Sequence, residues 1–247
     1  MLKLTVTSAP PGGWTRDEWL THYTERHGPL VAATSPHVHR YTQGPTWLDG
    51  IPADLPGHDA SLTCLTQVWF RDDEAMGRHY DDSAHAIVTA DERLFCDYNT
   101  VVLTVGRETE LMPEILDNGP KRYVRRPRVH ISVFRKTASG TSPGQLQEAW
   151  LENQGPRILA HPQLRPYLRR YVQTHTAHLG PDVRLGESVH SVVDDFTFAT
   201  KDEALAFWGT YRADDGLRRT EAEFTDQAND VLLFWHSHDV IVPLTDE

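Results

Sequence analysis

The sequence predicts an α+β protein in which two βαββαβ units follow one another and their antiparallel sheets pack face to face. Two observations lead to this prediction. The order of predicted strands and helices repeats after about half of the 247 residues, and short segments of the two halves match in the same order. A single unit would also leave one face of its sheet bare, so each unit needs a partner sheet.

The first half reads strand, helix, strand, strand, helix, strand. Alternating apolar and polar residues predict the strands, and apolar side chains spaced three to four residues apart predict the helices. The predicted strands cover 2–7, 38–43, 62–70 and 100–105, and the predicted helices cover 15–27 and, with a break, 72–95. A loop rich in Gly, Pro and Asp fills 44–61.

The second half gives the same order. Its predicted strands cover 129–135, 168–175, 189–199 and 231–236, the last one closing the fold, and its predicted helices cover 142–154, 201–211 and 217–224. Four segment pairs match at offsets between 127 and 130 residues: ERHGPLV with ENQGPRI, HRYTQ with RRYVQ, RDDEAM with TKDEAL, and TVVL with DVLL. The repeat therefore predicts a duplication, with a first unit over 1–106, a linker over 107–126 and a second unit over 127–247.

The first helix of each unit has a clear start and an expected end. Thr15 is a good N-cap, and Glu18 stands three residues later as its capping-box partner. Ser142 precedes a proline in the same way in the second unit. The pairs Gly28-Pro29 and Gly155-Pro156 predict that these helices stop near His27 and Gln154, because proline lacks an N–H group and disfavours a helical residue before it.

The composition indicates a globular protein and excludes some partners. The net charge of −11 disfavours nucleic acid, and the basic run over 121–128 is interpreted as a solvated linker rather than an anion site. The two cysteines, Cys64 and Cys96, lack metal or redox spacing, and no signal peptide or apolar run of membrane-spanning length is found. We expect a cytoplasmic protein, monomer or homodimer, whose partner is a small-molecule substrate and not a membrane.

Three segments carry a family resemblance. The segments WLTHYTERHGPLV at 19–31, VWFRDDEAM at 68–76 and ADERLFCD at 90–97 resemble signatures of EthD-like proteins and cover most of the first unit. The second unit matches more weakly, with Gln154 in place of the signature histidine. The resemblance implies ferredoxin-like units that form a dimeric α+β barrel within one chain, and a pocket between a sheet and its covering helices.

His27, Tyr23 and Tyr41 are the candidate catalytic residues. Helical spacing places Tyr23 and His27 on the apolar stripe of the first helix, where a histidine and a tyrosine can act as an acid–base pair. A helix that ends at His27 would raise the pKa of its imidazole. His27 could instead cap a backbone carbonyl at the Gly-Pro bend. The change to Gln154 in the second copy favours one active unit and one scaffold unit.

Three further residues are candidates for binding the substrate. His39 shares a strand face with Tyr41 and has Arg169 as its counterpart, so it is particular to the first unit. His130 lies inside the first strand of the second unit, and Trp69 lies in the third strand of the first. Each of them could instead be a structural residue of the core.

Neither a metal nor a cofactor is expected. The pairs His37-x-His39 and His236-x-His238 could chelate, but no nearby carboxylate or cysteine completes them. His175 or His178 could serve as the axial ligand of a haem, as in relatives with this fold. No glycine-rich phosphate loop, dinucleotide fingerprint or nucleophile elbow is present.

Three functions remain open from the sequence. The first is a cofactor-independent lyase, cyclase, dehydratase or decarboxylase in secondary or catabolic metabolism, which moves a proton next to a carbonyl of an aromatic or polyketide-like substrate with His27 as base. The second is a cofactor-free monooxygenase of phenolic or anthrone-like substrates. The third is a non-catalytic protein that binds a small molecule. The fold alone does not decide among them.

Overall fold

Two βαββαβ units make up the protein, and their strands join into one nearly closed barrel, which confirms the predicted α+β fold. The computed structural model describes residues 1–52, 54–114, 128–177 and 189–241. The strands are β1 Leu2–Thr7, β2 Arg40–Pro45, β3 Cys64–Phe70, β4 Val102–Met112, β5 Val129–Lys136, β6 Arg170–Thr176, β7 His190–Phe198, β8 Val231–His236 and β9 His238–Ile241. The α-helices are α1 Arg16–His22, α2 Gly28–Thr34, α3 Asp73–Asp81, α4 His85–Phe95, α5 Pro143–Ala149, α6 Gly155–Ala160, α7 Lys201–Ala213 and α8 Asp215–Phe224.

The strand order shows the two copies. The described strands form one antiparallel sheet in the order β8-β5-β7-β6-β4-β1-β3-β2-β9, so each unit has the order fourth, first, third, second. The register also repeats. Leu2 lies opposite Phe70 in the first unit, and Val129 lies opposite Phe198 at the same place in the second.

Two strands carry the sheet from one unit to the other. The beginning of β4 pairs with β1, and its end pairs with β6 of the second unit. In the same way β8 pairs with β5, and β9, which follows it directly, pairs with β2 of the first unit. A bridge between Thr46 and Trp235 adds to this second seam. The uncovered sheet face of each unit is thereby buried against the other unit of the same chain.

The first helix of each unit runs through its Gly-Pro pair, and the prediction that it stops there was wrong. Between α1 and α2 the residues Tyr23–His27 form a π-helix, in which the Gly28 amide donates to the carbonyl oxygen of Tyr23. This wider turn leaves Pro29 in the first turn of α2, where a proline needs no N–H partner. The second unit repeats the feature with the π-helix Trp150–Gln154 between α5 and α6.

The strands that join the units differ most from the prediction. Residues 107–112 belong to β4 rather than to the predicted linker, because they pair with β6. The strand β8 is not the last one, because β9 follows it. Most of the predicted linker and of the basic run lies outside the described residues. A pattern analysed within one unit does not reveal pairing with the other unit.

A buried ion pair links the units inside the barrel. The Lys3 ammonium lies 2.5 Å from the Asp195 carboxylate of the second unit and 3.1 Å from Glu108. Gln67 donates a further hydrogen bond to Asp195 at 3.1 Å. Buried charges are tolerated when they are paired in this way, and here the pairing aligns the two sheets.

The helices carry no membrane signal. Across the described ranges, none of them combines the length and apolar character needed to cross a bilayer.

Candidate active site

Tyr23 and His27 lie in the π-helix of the first unit, where a glutamine of β2 holds the helix against the sheet. The Gln43 side-chain amide donates to the main-chain carbonyl of Tyr23 and, at 3.2 Å, to the hydroxyl oxygen of Tyr41. A Cβ atom at Gly28 would lie only 2.7 Å from Gln43, so this close approach requires glycine. The three candidate catalytic residues are thus brought together, with the His27 ring 6.3 Å from that of Tyr23 and 6.5 Å from that of Tyr41.

A carboxylate that the sequence analysis did not select holds His27. Asp91 of α4 accepts hydrogen bonds from His27 Nδ1 and from His22 Nε2, each at 2.9 Å, one through each carboxylate oxygen. The His27 proton therefore lies on Nδ1, and Nε2 is left as the basic nitrogen. A histidine oriented by a carboxylate is a common arrangement for a general base.

The environment keeps His27 neutral. Its side chain is buried, and its ring lies 4.8 Å from that of Phe95. Burial lowers the pKa of His27 below 6.5, while the hydrogen bond and charge of Asp91 oppose the shift and the nearby His22 adds to it. The expectation that a helix end raises this pKa was wrong, because the helix continues past His27 and desolvation dominates. A neutral imidazole can accept a proton near pH 7.

The two tyrosines remain protonated near neutral pH, so each keeps a hydroxyl proton that it can donate. Burial raises the pKa of both Tyr23 and Tyr41 well above the ordinary value. The Tyr23 hydroxyl lies 2.7 Å from that of Thr66 on β3. The Tyr41 oxygen already accepts from Gln43, so its own proton remains for another acceptor.

The candidate substrate-binding residues do not join this group. Trp69 and His130 point into the barrel, on the sheet face opposite His27. Trp69 donates to Glu108 at 2.8 Å, and His130 stacks on Trp235 at 4.1 Å. His39 lies partly exposed just before β2, where its amide donates to the carbonyl of Trp69. We leave these three residues out of the proposed site.

The same place in the second unit is filled by a charge network. Gln154, the counterpart of His27, donates to Tyr211 at 2.9 Å. Beside it the buried Arg135 guanidinium lies within 3.2 Å of carboxylate oxygens of Asp194, Glu221 and Asp230. A cavity of about 30 Å³ next to Arg135 has room for about one water molecule. The second unit thus has no histidine at the position of His27, and its role as a scaffold stays a prediction.

The histidine pairs considered for a metal or haem stand elsewhere. In the part of the chain that the structure describes, no group of three or more His, Cys, Asp or Glu residues is arranged to hold a metal ion. His175 Nε2 lies 3.1 Å from the side-chain oxygen of Gln173, and His178 lies outside the described residues.

A protein-family model matches part of the first unit. Residues 11–99 match the model of the EthD domain. The first half of the chain contains an EthD domain. Its matched span includes His22, His27 and Asp91, which form the hydrogen-bonded group described above. No curated protein matches the chain.

Solved structures resemble the fold of the whole chain, both units included. An anthrone oxidase-like protein is 14% identical with a TM-score of 0.61, and the match covers 100% of this chain and 96% of that one. A protein of Fusobacterium nucleatum provisionally named a monooxygenase is 9% identical with a TM-score of 0.55, at coverages of 96% and 91%. A protein provisionally named a chlorite dismutase is 10% identical with a TM-score of 0.52, at coverages of 97% and 96%. At these identities the likeness shows the shared fold, a dimeric α+β barrel, and nothing finer.

The residues missed by the sequence analysis lie on α4 and at the end of α1. Asp91 and Phe95 belong to the ADERLFCD segment that carried the family resemblance, and the third missed residue, His22, directly precedes Tyr23 at the end of α1. The acidic pair in that segment was the available signal. Its partner histidines could not be identified, because the contact joins residues 64 and 69 positions apart.

Proposed function

We propose that the protein is a cofactor-independent oxygenase that oxidises an acidic carbon of a phenolic or anthrone-like substrate. The observation that carries the proposal is the buried His27, oriented by Asp91 and kept neutral beside aromatic rings. The names of two fold neighbours, an anthrone oxidase-like protein and a provisionally named monooxygenase, support oxidation over the lyase chemistry that the sequence first suggested.

The first step is removal of a proton. Nε2 of His27 takes a proton from the acidic carbon that is conjugated with the substrate carbonyl, which in an anthrone is the CH₂ group opposite the carbonyl in the central ring, and Asp91 stabilises the imidazolium that forms. The Tyr41 hydroxyl is free to donate to the carbonyl oxygen, where the negative charge develops. The surrounding aromatic side chains suit a flat, apolar substrate, because they offer stacking surfaces and exclude water.

The second step uses molecular oxygen. The substrate carbanion is electron-rich enough to reduce O₂, and the new C–O bond gives a peroxide that takes the proton held by His27. Loss of the second C–H proton then forms the C=O group as the O–O bond breaks. One oxygen atom enters the product and the other leaves as water, so an anthrone plus O₂ gives an anthraquinone plus H₂O.

An oxygen-uptake assay tests this proposal. Purified protein is mixed with an anthrone in the presence of a chelator, and O₂ consumption and quinone absorbance are recorded together. We expect one O₂ consumed per quinone formed, and we expect His27→Gln, which introduces the residue of the second unit, to lower kcat/KM by about 100-fold or more. His161→Gln is the matched control, because it removes a histidine–carboxylate pair with Asp214 at the surface.

The outcomes separate the three functions. Substrate turnover without O₂ uptake would support a lyase that uses the same base. Saturable binding of the anthrone without turnover would support a binding protein. If His27→Gln is as active as the unaltered protein, His27 does not act as the base.

A further inference from the structure

Glu92 lies on the face of α4 that packs against the sheet. It follows Val88 by four residues and precedes Phe95 by three, and both neighbours are buried. Residues at this spacing share one side of a helix. In the second unit α8 repeats the pattern with Leu217, Glu221 and Phe224, in which Leu217 and Glu221 are buried. Both units therefore place one carboxyl group on this side of the helix, where Glu221 is fully buried and Glu92 is partly exposed.

The two carboxyl groups differ in their partners. The carboxylate of Glu221 lies 2.7 Å from Arg135 and 3.3 Å from Arg212, and it accepts from the Tyr211 hydroxyl at 2.8 Å. The guanidinium of Arg135 neutralises it. A buried carboxylate of this kind normally requires such a cation.

The first unit lacks the corresponding cation. Leu2 occupies the register position of Val129, so Ser8 stands where Arg135 stands in the second unit. The polar partner of the Glu92 carboxyl group is the Tyr98 hydroxyl, which donates at 3.2 Å. Among the described residues no ion pair includes Glu92.

A carboxyl group without a counterion in this place favours its protonated form. Burial raises the pKa of Glu92 to about 7, the charge of Asp91 raises it further, and the Tyr98 hydrogen bond opposes both. Glu92 directly follows Asp91 on α4, and its charge raises the pKa values of Tyr41 on β2 and of Cys96 after α4. It has the same effect on Tyr80 of α3 and on Tyr98.

We propose that Glu92 is the general acid of the first unit, and that its carboxyl group protonates the oxygen that leaves the substrate peroxide. This inference rests on the proposed oxygenase function. His27 removes the second C–H proton, the C–H electron pair forms the C=O bond, and the O–O bond breaks. The departing hydroxide takes the Glu92 proton and leaves as water. The proton on His27 then returns to the Glu92 carboxylate, so the pair starts the next cycle unchanged.

The test compares Glu92→Gln with the unaltered protein. Without an acid the second half of the reaction slows, so we expect early O₂ consumption to exceed quinone formation and a substrate hydroperoxide to accumulate, detectable by mass spectrometry. We expect quinone formation to fall by about 10- to 100-fold. In the unaltered protein kcat should fall as pH rises through about 7, since Glu92 loses its proton there, and this basic limb should vanish in Glu92→Gln.

A second variant distinguishes this role from a structural one. Tyr98→Phe removes the hydrogen bond that favours the carboxylate, so the pKa of Glu92 should rise and the basic limb should move to higher pH. An infrared carboxylic-acid band that titrates near pH 7 and disappears in Glu92→Gln gives a readout that needs no substrate.

The two proposals can fail separately. If the unaltered protein consumes no O₂, the oxygenase proposal fails, and the infrared band still reports on Glu92. If the unaltered protein is active and Glu92→Gln keeps both the basic limb and a one-to-one ratio of O₂ to quinone, the role of Glu92 is refuted. A Tyr98→Phe variant with an unmoved basic limb would refute it as well.

Discussion

At His27 the hydrogen bond to Asp91 determines which ring nitrogen carries the proton. Without Asp91 the proton of a buried neutral imidazole could lie on either ring nitrogen. Only the form with the proton on Nδ1 leaves Nε2 able to act as the base. Asp91 fixes the proton on Nδ1, and His22 occupies the other carboxylate oxygen, which limits rotation of the carboxylate. The chemistry of the first unit thus depends on a residue from α4 as much as on the histidine itself.

Asp91→Asn tests this role through the pH profile. The base must be neutral, so kcat/KM should be lost as pH falls through the pKa of His27, which lies below 6.5. The variant removes the carboxylate that raises this pKa, so the acid limb should move to lower pH while the maximal kcat/KM drops by about 100-fold or more. An unchanged limb and rate would mean that Asp91 does not act on His27.

The sequence predicted some, but not all, of the residues that form the candidate site. Helical spacing grouped Tyr23 with His27, because residues four apart share a helix face. It could not identify Asp91, and it placed Trp69 and His130 among the site residues. Strand alternation gives two faces but does not say which one meets the helices, and these two side chains point into the barrel.

Among the elements, the π-helix at each Gly-Pro pair determines the geometry of the site. In its wider turn the carbonyl of Tyr23 accepts from the Gln43 side chain as well as from the Gly28 amide. The carbonyl of Trp150 likewise accepts from Gln173 and from the Gly155 amide. A Cβ at Gly155 would lie 3.0 Å from the Gln173 side chain. The rule that Gly-Pro ends a helix failed here because packing against the sheet offsets the missing hydrogen bond, an effect that local sequence does not encode.

Gly28→Ala tests the close approach of helix and sheet. The added methyl group meets Gln43 at 2.7 Å, so we expect the free energy of unfolding to fall by about 1–3 kcal/mol. Gly209→Ala in α7 is the matched control, since nothing lies within 4 Å of its Cβ position and alanine should stabilise that helix by up to about 1 kcal/mol. Urea unfolding of both variants measures the difference, and equal effects would contradict the packing argument.

For the whole molecule, duplication allowed the two units to diverge while they share one barrel. A symmetric pair of identical units would have to carry the same residues at both sites. Here one unit keeps His27 and a Glu92 that forms a hydrogen bond with Tyr98 and no ion pair among the described residues, and the other fills the space with Arg135 and its carboxylates. The repeat in the sequence was sufficient to predict the barrel, but not β9, whose pairing with β2 joins residues about 200 positions apart.

Lys3→Met tests the link between the units. Removing the ammonium leaves Asp195 buried without its counter-charge, so we expect a loss of about 3–5 kcal/mol in the free energy of unfolding. Adding Asp195→Leu should recover part of the loss, because two apolar residues replace the pair. Denaturant unfolding should show one transition for both units, and a Lys3→Met variant as stable as the parent would contradict the account.

The central claim is that His27 is a neutral base with its proton on Nδ1. Nitrogen NMR of ¹⁵N-histidine-labelled protein across the pH range measures this directly, with His27→Gln and His22→Gln used to assign the signals. We predict that His27 carries its proton on Nδ1 at neutral pH and titrates below 6.5. A proton on Nε2, or a titration above 6.5, would contradict the claim.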